Sequence, residues 1–310
     1  MADETLIKTE TTAVTGPGSG MEVELAAPRP PFFKALAKWV RNQPLGAVSG
    51  IGVIFMILVA VFAPYLAPHD PVTTNYESMT QAPSFAYWLG TDQFGRDLLS
   101  RVIWGARTAL FIGFTSAILG ATAGLVLGVA SAYFSGWIDL LFQRVMDVFL
   151  AFPLIIMALA VVAIFGTGPE NVIIAITIPF VPRCARVVRS NALAIREMPY
   201  VDAARALGYS HLRIILRHMA PNCMASYLIM LTTFLGQAIL LEASLSYLGL
   251  GVQEPIPAWG LMLQGGAEEY AESAPWIAIF PGLAITLAVF AFNLFGDAVR
   301  DTVDPKLRAR

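Results

Sequence analysis

The stretch YVDAARALGYSHLRIILRHMAPN, residues 200–222, gathers three arginines and two histidines in a chain of 310 residues that is 56% hydrophobic and only 14% charged. Which side of a membrane this stretch occupies decides how the rest of the chain is threaded. The mean hydropathy of +0.65 comes from long unbroken apolar runs rather than from amphipathic patterns, the signature of a polytopic membrane protein.

Five runs contain no Asp, Glu, Lys or Arg: 42–69, 108–138, 148–169, 218–241 and 273–296. Each reaches the roughly 20 residues that a helix rising 1.5 Å per residue needs to cross about 30 Å of hydrocarbon. A sixth run, NVIIAITIPFVP from Asn171 to Pro182, is too short alone, and Arg183, Arg186 and Arg189 follow at once. Snorkelling of those arginines would let the helix continue through them.

The basic residues arbitrate. With six spans and an inside N-terminus, the cytoplasmic pieces hold Arg29, Lys34, Lys38, Arg41, Arg144, Arg183, Arg186, Arg189, Arg196, Arg205, Arg213, Arg217, Arg300, Lys306, Arg308 and Arg310. Omitting the fourth span would turn the arginine-rich loop outward, against the positive-inside bias. The expected fold is therefore all-α, with six transmembrane helices near 45–67, 108–134, 146–166, 171–189, 222–242 and 276–296, and both ends cytoplasmic. Residues 1–28 lack the apolar core of a signal peptide and read as a disordered tail, and 299–310 as a second tail. Residues 29–43 read as an interfacial amphipathic helix or an extension of the first span.

Several function classes fall away. There is no Gly-Lys dipeptide and hence no phosphate-binding P-loop, and no Gly-x-Ser-x-Gly or His-Glu-x-x-His. Cys184 and Cys223 lie near cytoplasmic helix ends, and three histidines make no ligand cluster, so neither a disulfide nor a bound metal is expected. Nothing in the chain points to nucleic acid. An ion-driven transporter would commit acidic or histidine side chains to mid-membrane positions, which these runs lack. An external motor is expected, with an ion-driven transporter or a signalling receptor as the alternatives.

Within the opening stretch, Asp202, Ala203 and Ala204 are followed by Gly208 and then Pro221, which predicts a helix, a break and a second helix capped by Ser210. The small side chains leave the backbone open to another protein's surface. This spacing resembles the Glu-Ala-Ala loop of the membrane subunits of bacterial ABC importers, with Asp202 in place of the usual Glu and Ala220 where Leu is common. The resemblance implies a coupling helix that docks on an ATPase subunit, formed here by Asp202, Ala203, Ala204, Ala206, Leu207, Gly208, Tyr209 and Pro221.

Three further stretches, LGTDQFGRDLLSRVIWGARTAL (89–110), EASLSYLGLGVQEPIPAWG (242–260) and FNLFGDAVRDTVDPKLR (292–308), resemble the C-type permease subunits of dipeptide, oligopeptide and nickel importers. That likeness implies a non-catalytic subunit of a bacterial plasma membrane, paired with a homologous second permease, two ATP-binding subunits carrying ATP and magnesium, and an external peptide-binding protein. No cofactor is expected on this chain. Peptide is preferred to nickel because His69, His211 and His218 are not grouped.

Asp97 and Arg101 are spaced for an i,i+4 pair on a helix face. Asp92, Arg96, Asp97, Glu254 and Trp259 are candidates for contact with the binding protein, and Glu242 for the translocation pathway, although a carboxylate at a span's end can simply be hydrated. Gly120, Gly124 and Gly128 stand in small-x-x-x-small register, for a crossing within the chain or against the partner.

Overall fold

The computed structural model describes residues 39–303. The chain divides into two units, 1–42 and 43–310; of the first only 39–42 is described, as a helical turn. The expected tail at 1–28, residues 304–310 of the expected 299–310 tail, and most of the expected interfacial helix lie outside the described residues, whereas 299–303 are not a separate tail but continue the last helix.

Helix α1 (Pro44–Val61) opens with proline at its first position, where a missing N–H costs nothing. It buries Gly46, Ser49, Val53 and Ala60 and leaves Leu45, Val48, Ile51, Phe55 and Leu58 exposed, so it is apolar on every side. Such a helix belongs in lipid or against another membrane subunit. A short helix α2 (Ala63–Leu66) follows.

Helix α3 (Leu98–Phe134) has 37 residues, about 55 Å at 1.5 Å each, and so overshoots the hydrocarbon core. It begins ten residues before the expected 108. Asp97 caps it, accepting from the Ser100 N–H at 2.9 Å, and Arg101 is absorbed into the protein rather than ending the span. Ser135 and Gly136, at φ +54° and +62°, turn the chain sharply into α4 (Gly136–Leu150).

The third expected span, 146–166, is not one helix. α4 and α5 (Leu154–Phe165) meet at a 90° bend. Pro153 supplies no N–H and biases Phe152 away from helical angles, which breaks the run that its apolar composition suggested was continuous. Among the described residues five helices are long and apolar enough to cross a membrane, and the number is six if the bent pair is counted as one span.

The doubtful fourth span, by contrast, is a clean helix. α6 (Pro169–Arg196) runs through Pro179, Pro182 and the three arginines for 28 residues. Arg186 pairs with Asp147 and Arg189 with Asp139, so α4 supplies two of those charges with partners. Gly166 and Gly168 at φ +91° and +117° make the turn into α6, pinned by the Asn171 amide donating to the Phe165 carbonyl at 2.9 Å.

Next come α7 (Pro199–Ala206) and a 37-residue helical run, His211–Tyr247. That run consists of α8 (His211–Ile214), a π turn at Ile215–Met219, a 3-10 turn at Ala220–Cys223 and α9 (Met224–Tyr247). The wider π turn and the tighter 3-10 turn carry the helix past Pro221, which cannot donate to the ladder. An outer helix α10 (Trp259–Glu269) and the last span α11 (Trp276–Val303) complete the described chain.

The core forms around α3, which packs most extensively on α6 and also on α9; α9 in turn packs on α11, and α11 on α1 and α10. A β-carbon at Gly120 would stand 2.7 Å from Phe180 Cβ, one at Gly128 2.6 Å from the Ala185 carbonyl, and one at Gly124 against Cys184. The glycine register therefore closes on α6 within this chain. Stacked rings of Phe180 and Phe234, 4.1 Å apart, join α6 to α9.

Candidate functional site

The helix expected to couple the chain to a motor is α7. Val201 and Ala204 point into the protein, while Asp202, Ala203, Arg205 and Ala206 are exposed and Leu207 is 72% exposed. Its end is closed by two reverse hydrogen bonds, Tyr209 N–H to the Ala204 carbonyl at 3.2 Å and Gly208 N–H to the Arg205 carbonyl at 2.9 Å. That pattern needs a left-handed residue just past the helix, and Gly208 sits at φ +74° with nothing within 4 Å of where a β-carbon would be. Ser210 Oγ accepts from the Arg213 N–H at 3.4 Å and starts the next helix as expected. Pro221, eleven residues beyond Ser210, is exposed.

The loop is anchored in part by Tyr133, which sequence reasoning did not single out. Tyr133, at the end of α3, places its hydroxyl 2.6 Å from His211 Nδ1, and the Arg205 guanidinium lies 5.5 Å from the Tyr133 ring centre. Asp202 accepts from Arg205 at 3.0 Å. Tyr209, half-buried, carries Arg213 over its ring at 4.1 Å and stacks on His218. Nearby, Asp139 accepts from Ser131 and Arg189, and Arg196 donates to the Ala132 carbonyl at 3.4 Å. Arg205 of α7 and His211 of α8 thus both meet Tyr133 in the last turn of α3.

On the opposite side of the fold, the five proposed contact residues build an internal clamp. Arg96 donates to Asp92 at 2.7 Å and to Glu254 at 2.6 Å. Arg101, fully buried, reaches Glu254 at 3.3 Å and the Pro71 carbonyl at 3.0 Å. Asp97 is taken up by Ser100 and by His69 at 3.5 Å, so the expected Asp97–Arg101 pair is replaced by one from Arg101 to Glu254, across 153 residues. Trp259 donates its indole N–H to the Val102 carbonyl at 2.9 Å and packs where Gly105 leaves room.

Asp92, Arg96, Asp97 and Trp259 are all buried; only Glu254, with 39% of its side chain exposed, keeps a free surface. The buried four fasten the outer loop to the start of α3, and of the five expected contact residues Glu254 is the one that presents side-chain surface. Burial alone would push the Glu254 carboxyl up, but the hydrogen bonds and charges of Arg96 and Arg101 outweigh it and hold it below the ordinary carboxylate range. Arg96 is likewise raised by Glu254 and Asp92 against the lowering effect of burial.

Glu242 is fully buried near the end of α9, where it accepts from the Ser246 hydroxyl at 2.8 Å. The same hydroxyl accepts from the Val252 N–H at 3.2 Å, so this carboxylate supports the outer loop from beneath. It does not line a cavity of about 1000 Å³ that lies between the chain after α2, α3 at Trp104–Ile112, the first turns of α6, and residues 255–257.

Comparison with known proteins gives a consistent result. Residues 120–309 match the family described as the binding-protein-dependent transport system inner membrane component, and residues 36–83 the N-terminal transmembrane domain of oligopeptide transport permease C. The chain is 40% identical over 282 residues to a glutathione transport system permease protein of Pectobacterium atrosepticum, covering 91% of this chain and 93% of the relative. It is 42% identical over 272 residues to a dipeptide transport system permease protein of Alkalihalophilus pseudofirmus, covering 88% and 89%. Among solved structures, an inward-facing MetNI methionine ABC transporter matches with TM-score 0.52 and 20% identity over 66% of this chain and 96% of that one, a likeness of fold.

Proposed function

This chain belongs to the binding-protein-dependent transport system inner membrane component family and is a non-catalytic, multi-pass permease subunit of an ABC importer; from that premise we propose that its cargo is short peptides, dipeptides or oligopeptides. The relatives named for dipeptide and glutathione transport support that cargo. Membership implies a partner permease, ATPase subunits and a substrate-binding protein, with hydrolysis on the separate ATPases.

In finer detail, the partner permease is homologous but different, two ATP-binding subunits hold ATP and magnesium, and an external protein delivers the peptide. The chain lies in a bacterial plasma membrane with both ends cytoplasmic, its permease domain spanning residues 44–298. Residues 197–222 dock on an ATPase. Closure of the ATPase pair around ATP moves α7, and through Tyr133 and His211 that motion reaches α3, switching the pathway between outward and inward openings.

The observation that carries this reading is α7 itself, an eight-residue helix whose open face carries Ala203, Ala206 and the Asp202–Arg205 pair and is followed by exposed Leu207, joined at both ends to long apolar helices. Co-purification of the chain with its neighbouring subunits, followed by hydrolysis assays with and without peptide and binding protein, tests it. Peptide-stimulated hydrolysis is expected. Transport by the purified chain with no ATPase present would overturn it.

A further inference from the structure

The cavity of about 1000 Å³ lies at the upper end of the range for small-ligand sites. Trp104 and Phe111 of α3 form an apolar wall, and three charged side chains face the same space: Arg107 from α3, Glu170 from α6 and Asp70 from the chain after α2. Arg107 lies over the Trp104 ring at 5.5 Å and pairs with no carboxylate among the described residues. Asp70 accepts only from the Val72 N–H, at 2.8 Å, and Glu170 has no hydrogen-bonded partner there. The neighbouring Arg96 and Arg101 are, by contrast, both paired with carboxylates.

We propose that this cavity is a binding site for the two charged ends of a short peptide, with Arg107 holding the terminal carboxylate and Glu170, aided by Asp70, holding the terminal ammonium. The inference rests on the peptide reading above and adds a location to it. A guanidinium presents a planar fork that matches a carboxylate in two parallel hydrogen bonds, and the Arg107 fork has no carboxylate partner among the described residues. Opposite charges on separate walls suit a zwitterion. They do not suit an anionic lipid headgroup, which Glu170 and Asp70 would repel, or an acyl chain, which all three charges would exclude. The apolar wall between them tolerates varied side chains, so the site reads the ends of a peptide rather than its sequence.

The test is protection of an introduced thiol in the assembled permease and ATPase complex, with the soluble binding protein left out. Cys184 and Cys223 are both buried, so Thr108→Cys, or Phe111→Cys as a second position, gives a selectively reactive cavity thiol; the unsubstituted complex is the background control. Trialanine is expected to slow maleimide labelling, while N-acetyl-trialanine amide, which lacks both charges, does not. Arg107→Gln and Glu170→Gln should each raise the trialanine concentration needed for protection by about tenfold, the effect of losing one charge-assisted hydrogen bond. Labelling untouched by trialanine, or slowed equally by the blocked peptide, would overturn the site. Uptake of radiolabelled trialanine by the complete importer separates the two ideas. Uptake without protection refutes the site and leaves the cargo standing, whereas absence of uptake refutes the cargo on which the site rests.

Discussion

Leu207 and Gly208 are adjacent and answer to different forces. Gly208 is held at φ +74° by the closing hydrogen bonds of α7, so an L side chain there strains the backbone before it meets any partner. Gly208→Ala should cost the helix end about 1 kcal/mol and speed amide exchange over Ala204–Leu207 about fivefold. Leu207 touches little within the chain. Leu207→Glu should leave that exchange and the melting temperature unchanged while weakening attachment of the ATPase. The sequence pattern marked both residues as part of one docking surface. It did not separate the glycine that shapes the helix from the leucine that offers a face, because that distinction lies in a backbone angle. Tyr133 was invisible for a related reason: a tyrosine ending an apolar run carries no signal until the fold places it 2.6 Å from His211.

At the level of elements, the glycine register of α3 was legible from spacing, and its partner was not. Gly124→Leu should destabilise the chain by about 1–3 kcal/mol or prevent its accumulation, because Cys184 of α6 occupies the space. Gly282→Ala, whose new β-carbon would meet only Leu263 at 3.7 Å, should be tolerated or slightly stabilising, and comparison of the two melting curves checks this.

The outer clamp makes a second prediction. Glu254 has a lowered carboxyl, so the stability it contributes is present above the ordinary carboxylate value of about 4 and is lost as pH falls through its lower folded value. The melting temperature of the parent chain should therefore exceed that of Glu254→Gln near neutral pH, and the gap should close on acidification. A gap that persists unchanged at pH 3 would exclude the ion pairs as its source. The clamp escaped sequence reading because it joins residues 158 positions apart, while the i,i+4 spacing of Asp97 and Arg101 suggested a local pair instead.

For the whole molecule, the apolar runs located four of the five long helices among the described residues, since crossing a bilayer demands length and lack of charge, and the distribution of basic residues located the fifth, α6. They were insufficient at two places. Arginines that find carboxylate partners do not end a helix, which lengthened α3 and secured α6; a proline that breaks the ladder does, which bent the third span at Pro153. Threading is the consequence at stake, because a bent pair that fails to cross would reverse the side of α7. Single cysteines at Leu207 and Glu272, read against the two buried native thiols, check it in spheroplasts. The impermeant reagent should modify Glu272→Cys and spare Leu207→Cys until the membrane is opened.

The coupling claim meets its most direct test in peptide-stimulated ATP hydrolysis by the reconstituted importer, compared between the parent chain and Leu207→Glu at matched melting temperature. The expected result is stimulation by peptide and its binding protein in the parent and a fall toward the unstimulated rate in the variant. Undiminished stimulation in a Leu207→Glu complex would contradict the assignment of α7 as the docking helix.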